Sequence, residues 1–94
     1  MSEIDKLEEY LKTHGYNYER IKDKGTDGAW LQNQVIVYDD NGERLWDAVC
    51  NIISGGYKKG LLEVMGSAVV RCDDEVEGWL TADDIIKRLE GQDG

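Results

Sequence analysis

The sequence predicts an α+β domain, an antiparallel sheet of about four strands flanked by an N-terminal and a C-terminal helix. Three observations predict it. Two apolar runs, Val35–Tyr38 and Leu45–Ile53, are separated by Asp39-Asp40-Asn41-Gly42, and Asn-Gly between such runs is a strong hairpin signal because both residues accept positive φ. Ile4, Leu7 and Leu11 recur at helical spacing near the start. Near the end, Thr81 stands before Asp83-Asp84 and the apolar set Ile85, Ile86 and Leu89, which is how a capped helix begins.

Taken in order, Ser2 is the expected N-cap of the first helix, with Glu3 and Asp5 in the turn where the helix dipole favours carboxylates. Gly15, after His14, ends it. Tyr16 to Ile21 alternates and reads as an edge strand, and Lys22 to Gly28 as a loop by its Gly and Asp content. Trp30 to Tyr38 is the next strand. Its second half is apolar on both faces, so one end of the sheet is expected to be covered twice or to meet a partner. After the turn, Trp46, Ala48, Cys50 and Ile52 form the expected core face. Leu45, Asp47, Val49, Asn51 and Ile53 form the other. A helix over Arg44 to Ile53 competes with this reading, because a short run also fits a 3.6 period. Ser54 to Gly60 is a connector and Leu61 to Met65 a strand that Gly66 ends or bulges. Ser67 to Cys72 would continue that strand. Leu80 and Ile85 bracket the Thr81 cap as a hydrophobic staple, and Gly91 stops the last helix.

The 94 residues are expected to form one domain, 1–94, large enough for a core without staples. Twenty acids against eleven bases leave a net charge of −9. By region the net is −1 over residues 1–24, −2 over 25–72 and −6 over 73–94. Most of the excess therefore lies in the last quarter. Such a surface repels nucleic acid and anionic membrane and attracts basic proteins. Cys50 and Cys72 belong to no C-x-x-C pair, Met1-Ser2-Glu3 does not read as the start of a secretory h-region, and no stretch has the ~20 apolar residues of a membrane span. Two buried, reduced thiols in a cytoplasmic protein are expected.

Candidate chemistry is sparse. Asp73 to Asp84 places oxygen side chains at the first, third, fifth and twelfth positions of a calcium-type loop, with Gly78 at the sixth. Glu75 and Glu77 are too long for that loop and Asp84 too short for its last position. An acidic turn feeding a capped helix accounts for the same residues. Gly55 to Gly60 is glycine-rich, but Gly60 is followed by Leu61 and not by Lys-Ser/Thr, so no phosphate loop is present. His14 is the sole histidine. Nothing places a cysteine beside it, and the abundant carboxylates sit in solvated runs, so neither an enzyme nor a cofactor is expected.

The blocks LWDAVCN (Leu45–Asn51), GLLEVMG (Gly60–Gly66) and VEGWLTADDIIKRL (Val76–Leu89) resemble those of small acidic proteins in phages and mobile elements of Gram-positive bacteria. The resemblance spans about half the chain. It implies a short phage-type protein acting inside a bacterial cell, and assigns no activity to any residue.

Together these readings point to a non-enzymatic acidic module that binds a basic host protein. Its most specific form is inhibition of a nucleic-acid-binding or defence protein by charge mimicry. Asp73, Asp74, Glu75, Glu77, Asp83 and Asp84 would carry the contact, with Trp79 as the aromatic anchor. Asp39, Asp40 and Glu43 would be secondary. No direct nucleic-acid or membrane contact is expected. A small-ligand or calcium-binding domain is one alternative. A structural domain that dimerises through its apolar sheet face is the other.

Overall fold

The computed structural model describes residues 2–91. Helix α1 (Glu3–Thr13) opens the chain and helix α2 (Ala82–Leu89) closes it. Between them run β1 (Tyr18–Lys24), β2 (Trp30–Tyr38), β3 (Arg44–Val49), β4 (Leu62–Met65) and β5 (Val76–Leu80). The strands form one antiparallel meander in sequence order, so β1 and β5 are the edges. The expected α+β architecture is present, with five strands and not about four.

Both helices begin as their caps dictate. The Ser2 hydroxyl accepts from the Asp5 N–H at 3.2 Å. Thr81 and Asp84 form a reciprocal capping box, at 3.1 Å and 3.0 Å. The two N-termini are tied together, since the Ala82 N–H donates to the Glu3 carboxylate at 2.8 Å. That carboxylate thus sits at the positive ends of both helices. The helices cover one sheet face. Ile4, Leu7, Leu11, Ala82 and Ile85 meet Val35, Val37, Trp46, Ala48, Cys50, Leu62, Val64 and Leu80 in a single buried cluster. Removing a side chain such as Leu7 from such a site costs about 2–5 kcal/mol.

The β2–β3 hairpin is present, which removes the helical alternative for Arg44 to Ile53. Its turn differs from the expectation that both Asn41 and Gly42 take positive φ. Gly42 N–H donates to the Asp39 carbonyl and Asp39 N–H to the Glu43 carbonyl, and only Gly42, at φ 81°, is left-handed. This is a longer loop with a bulge at its exit, and it shifts the register after Val37. The Asp39 carboxylate holds the loop by accepting from the Asn41 and Glu43 N–H groups, both at 2.9 Å.

Several boundaries move. β1 begins at Tyr18 and extends through Lys24, into the segment read as a loop, because its pairing with β2 continues to Trp30. β3 ends at Val49, and Ser54 turns the chain by bonding back to Asn51. Ile52 is consequently 51% exposed and does not reach the core. Ser67 to Cys72 is not a strand. It is a turn that drops Val69 into the core while leaving Cys72 exposed. Both thiols are free, and only Cys50 is buried as expected.

The second sheet face has no covering element among the described residues. Cross-strand pairing puts Ile36, Asp47, Met65 and Val76 in one row across it. Ile36 is buried there and Met65 half-exposed. The sheet also has two distinct ends. The β2–β3 tip and the Gly66–Glu75 loop leave from the hairpin end. The β1–β2 and β3–β4 connections lie at the opposite end, where both helices start.

Candidate functional site

Antiparallel topology sorts the acidic residues singled out from the sequence. Asp39, Asp40 and Glu43 on the tip, and Asp73, Asp74 and Glu75 on the β4–β5 loop, lie at the hairpin end. Of these six, all but the half-buried Asp39 are exposed. Asp83 and Asp84 lie at the opposite end, beyond the five residues of β5, about 15 Å away at the rise of a strand. Asp84 is also occupied by its capping box. The structure therefore brings six acids to one end and leaves two at the other.

At the hairpin end, Met65, Gly66, Ser67, Val70, Cys72, Asp74 and Glu75 line an open groove of about 470 Å³. Met65 and Val70 give it apolar lining, and Asp74 and Glu75 give it acidic lining. Gly66 is required here. Its φ is 122°, and a Cβ would stand 2.6 Å from the Trp46 Cβ. The groove takes its shape from the turn that buries Val69. That turn is held from α2, because Arg88 donates to the Val69 carbonyl at 2.7 Å.

Glu77 has a different role from its acidic neighbours. It accepts from both Arg88 terminal nitrogens and from the Arg71 N–H at 2.8 Å. The Arg88 hydrogen bonds, with that N–H, hold its carboxyl below the usual range. The alternative calcium-type loop is not formed over Val76–Leu80, which is extended strand, and Glu77, the one oxygen side chain in it, is engaged by Arg88. Among the described residues no group of three His, Cys, Asp or Glu side chains could hold a metal ion.

Trp79 is 61% exposed and has φ 63°, the single left-handed non-glycine among the described residues. It sits in a bulge, where Gly78 and Trp79 together oppose Glu63 of β4. The Gly55-Gly56 pair packs behind it. Ile52, Tyr57, Lys58 and Trp79 then share a shallow recess of about 450 Å³, and Lys59 Nζ lies 5.9 Å from the Trp79 ring centroid. A bulky residue in this conformation is strained, and such strain gathers at functional positions.

A further cluster went unnoticed in the sequence. Arg20, Lys22 and Lys24 alternate along β1 and so share its helix-facing side. Their spacing of two was the available signal, obscured by reading Lys22 onward as a loop. Arg20 is paired with Asp5 at 3.0 Å and Glu8 at 2.8 Å, and donates to the Asn33 side chain at 2.7 Å. The Ser2 hydroxyl, and then Arg20 and Lys22, hold the Asp5 carboxyl below its usual range. Trp30 lies alongside, with Lys24 Nζ 4.9 Å from its ring centroid.

Among the described residues no helix is long and apolar enough to cross a membrane. No protein-family model, curated protein or solved structure matches the chain.

Proposed function

We propose that the protein is a non-enzymatic acidic binding module that engages a basic protein through its hairpin end. The observation that carries this reading is the groove between Met65, Val70, Asp74 and Glu75. Its apolar lining suits the methylene stem of a partner lysine or arginine, and its two carboxylates suit the charged head. The tip acids Asp39, Asp40 and Glu43 extend the negative field from the same end of the sheet. In keeping with the sequence resemblance, the module is encoded by a phage or mobile element and acts in the cytoplasm of a bacterial host. Its partner is a nucleic-acid-binding or defence protein whose basic site it covers.

Affinity capture from a Gram-positive lysate with wild type and with Asp74→Lys/Glu75→Lys tests the proposal. The expected result is a basic protein that wild type retains at low salt and releases at high salt, and that the variant fails to retain. Equal capture by the two proteins overturns it.

The uncovered sheet face favours a second reading, self-association. Met65 at 49% and Ile53 at 89% exposure would be covered by a second copy. Light scattering that gives a monomer across concentrations removes that reading and leaves the first intact.

A further inference from the structure

At the end of the sheet opposite the acidic groove, below the start of α1, lies a cavity of about 480 Å³. Its lining includes four bases, Arg20, Lys22, Lys24 and Lys58, and one acid, Asp5. In a chain of net charge −9 this is a local reversal of sign. We propose that this cavity binds a small phosphorylated molecule. Lys22, Lys24 and Lys58 hold its phosphate, and its organic part lies along Trp30 and Tyr57.

Four observations carry the proposal. First, Asp5 and Glu8 pair with Arg20, whereas Lys22, which acts on Asp5 only through its charge, Lys24, which rests over the Trp30 ring, and Lys58 form no ion pair with a described carboxylate. Three positive charges around one small volume suit a phosphate dianion better than a single carboxylate, and lysine meets phosphate as a point charge without demanding bidentate geometry. Second, the Arg20 side chain is only 9% exposed, and its buried Nε–H finds no acceptor among the described residues. A buried donor without an acceptor is uncommon, and it leaves positive charge uncompensated in the wall that Arg20 forms. Third, the Tyr57 hydroxyl accepts from the Trp30 N–H at 3.1 Å. Its own proton therefore remains available for a ligand acceptor. Fourth, the volume lies within the range of small-molecule sites.

The net charge of the chain decides between a small anion and a polyanion. A nucleic acid would meet the repulsion of the whole acidic surface. A small ion inside the cavity feels mainly the charges within the screening length of about 8 Å. The proposal does not rest on the acidic groove, which lies at the other end of the sheet.

Calorimetry and amide chemical shifts of the full chain, titrated with adenosine monophosphate and separately with inorganic phosphate, test it. The nucleotide is expected to saturate with Kd at or below about 1 mM. Its shifts should centre on Lys22, Lys24, Trp30 and Lys58, and inorganic phosphate should bind more weakly at the same place. Lys22→Gln/Lys58→Gln should weaken nucleotide binding at least about tenfold. Lys59→Gln, outside the cavity, should leave it unchanged. Should the double variant melt early, Lys58→Gln alone, on an exposed connector, is read in its place for a smaller loss. Absence of saturation by either probe up to about 10 mM overturns the site. So does undiminished binding by the lysine variants, or tighter binding of an oligonucleotide than of the mononucleotide at equal phosphate concentration. Inorganic phosphate binding as tightly as the nucleotide overturns the role given to Trp30 and Tyr57.

Discussion

Arg88 grips Glu77 with both terminal nitrogens, at 2.9 Å and 2.8 Å, and so joins the last helix to the edge strand. The side chains are only 14% and 20% exposed, so the pair is shielded enough to matter. Glu77→Gln is expected to cost about 2 kcal/mol in urea unfolding near neutral pH. Pairing holds the Glu77 carboxyl below its usual range, so the folded state takes up this proton less readily than the unfolded chain does. Its contribution is complete above the ordinary glutamate value near about 4.3 and is lost as pH falls through the lower folded value. The gap between wild type and variant should therefore narrow toward about pH 3. A gap that stays constant over that range counts against the pairing as its source.

Trp79 offers a direct measure of backbone strain. Its ring is mostly exposed and its φ is 63°. Trp79→Ala keeps a Cβ in the left-handed region, whereas Trp79→Gly removes it. The glycine variant should be more stable than the alanine variant by about 1 kcal/mol. The reverse order, which ordinary strand preference would give, would show that no strain is stored there.

Gly56 and Gly28 share φ 87° but not their surroundings. A Cβ on Gly28 meets nothing within 4 Å, whereas one on Gly56 would stand 2.8 Å from the Leu61 Cβ and 3.2 Å from the Trp79 Cα. Gly28→Ala should cost about 1 kcal/mol, for conformation alone. Gly56→Ala should cost about 1–3 kcal/mol beyond that, for the displaced packing behind Trp79. Similar losses in thermal unfolding would contradict the contact.

The two thiols should report separately. Cys72 is exposed, while burial pushes the Cys50 thiol up. A thiol reagent should modify Cys72 quickly in the folded protein and Cys50 only as the chain unfolds. Cys72→Ser should abolish the fast phase and leave the slow one.

Much of the fold is legible in the chain because the signals are local. The Ser2 and Thr81 caps, the Ile4, Leu7 and Leu11 face, and the alternation through Trp46, Ala48 and Cys50 act within a few residues of themselves. The fifth strand is not legible. Val76–Leu80 carries Glu77 and Gly78 at its centre and alternates weakly, and it becomes a strand because β4 offers it an edge. Ser67 to Cys72 fails for the converse reason. Its apolar run suggests a strand, but one buried residue, Val69, satisfies the core, and the chain turns around it.

By itself the sequence determined the two capped helices, the central hairpin, the α+β class and the excess of acid near the C-terminus. Only the tertiary structure decided how the charges are divided. Six acids reach one end of the sheet because alternate strand connections leave from the same end. Arg20, Lys22 and Lys24 gather at one wall of the opposite cavity because β1 pairs on through Lys24. A net charge is a sum over residues, whereas a field depends on where they stand, and strand pairing sets those positions.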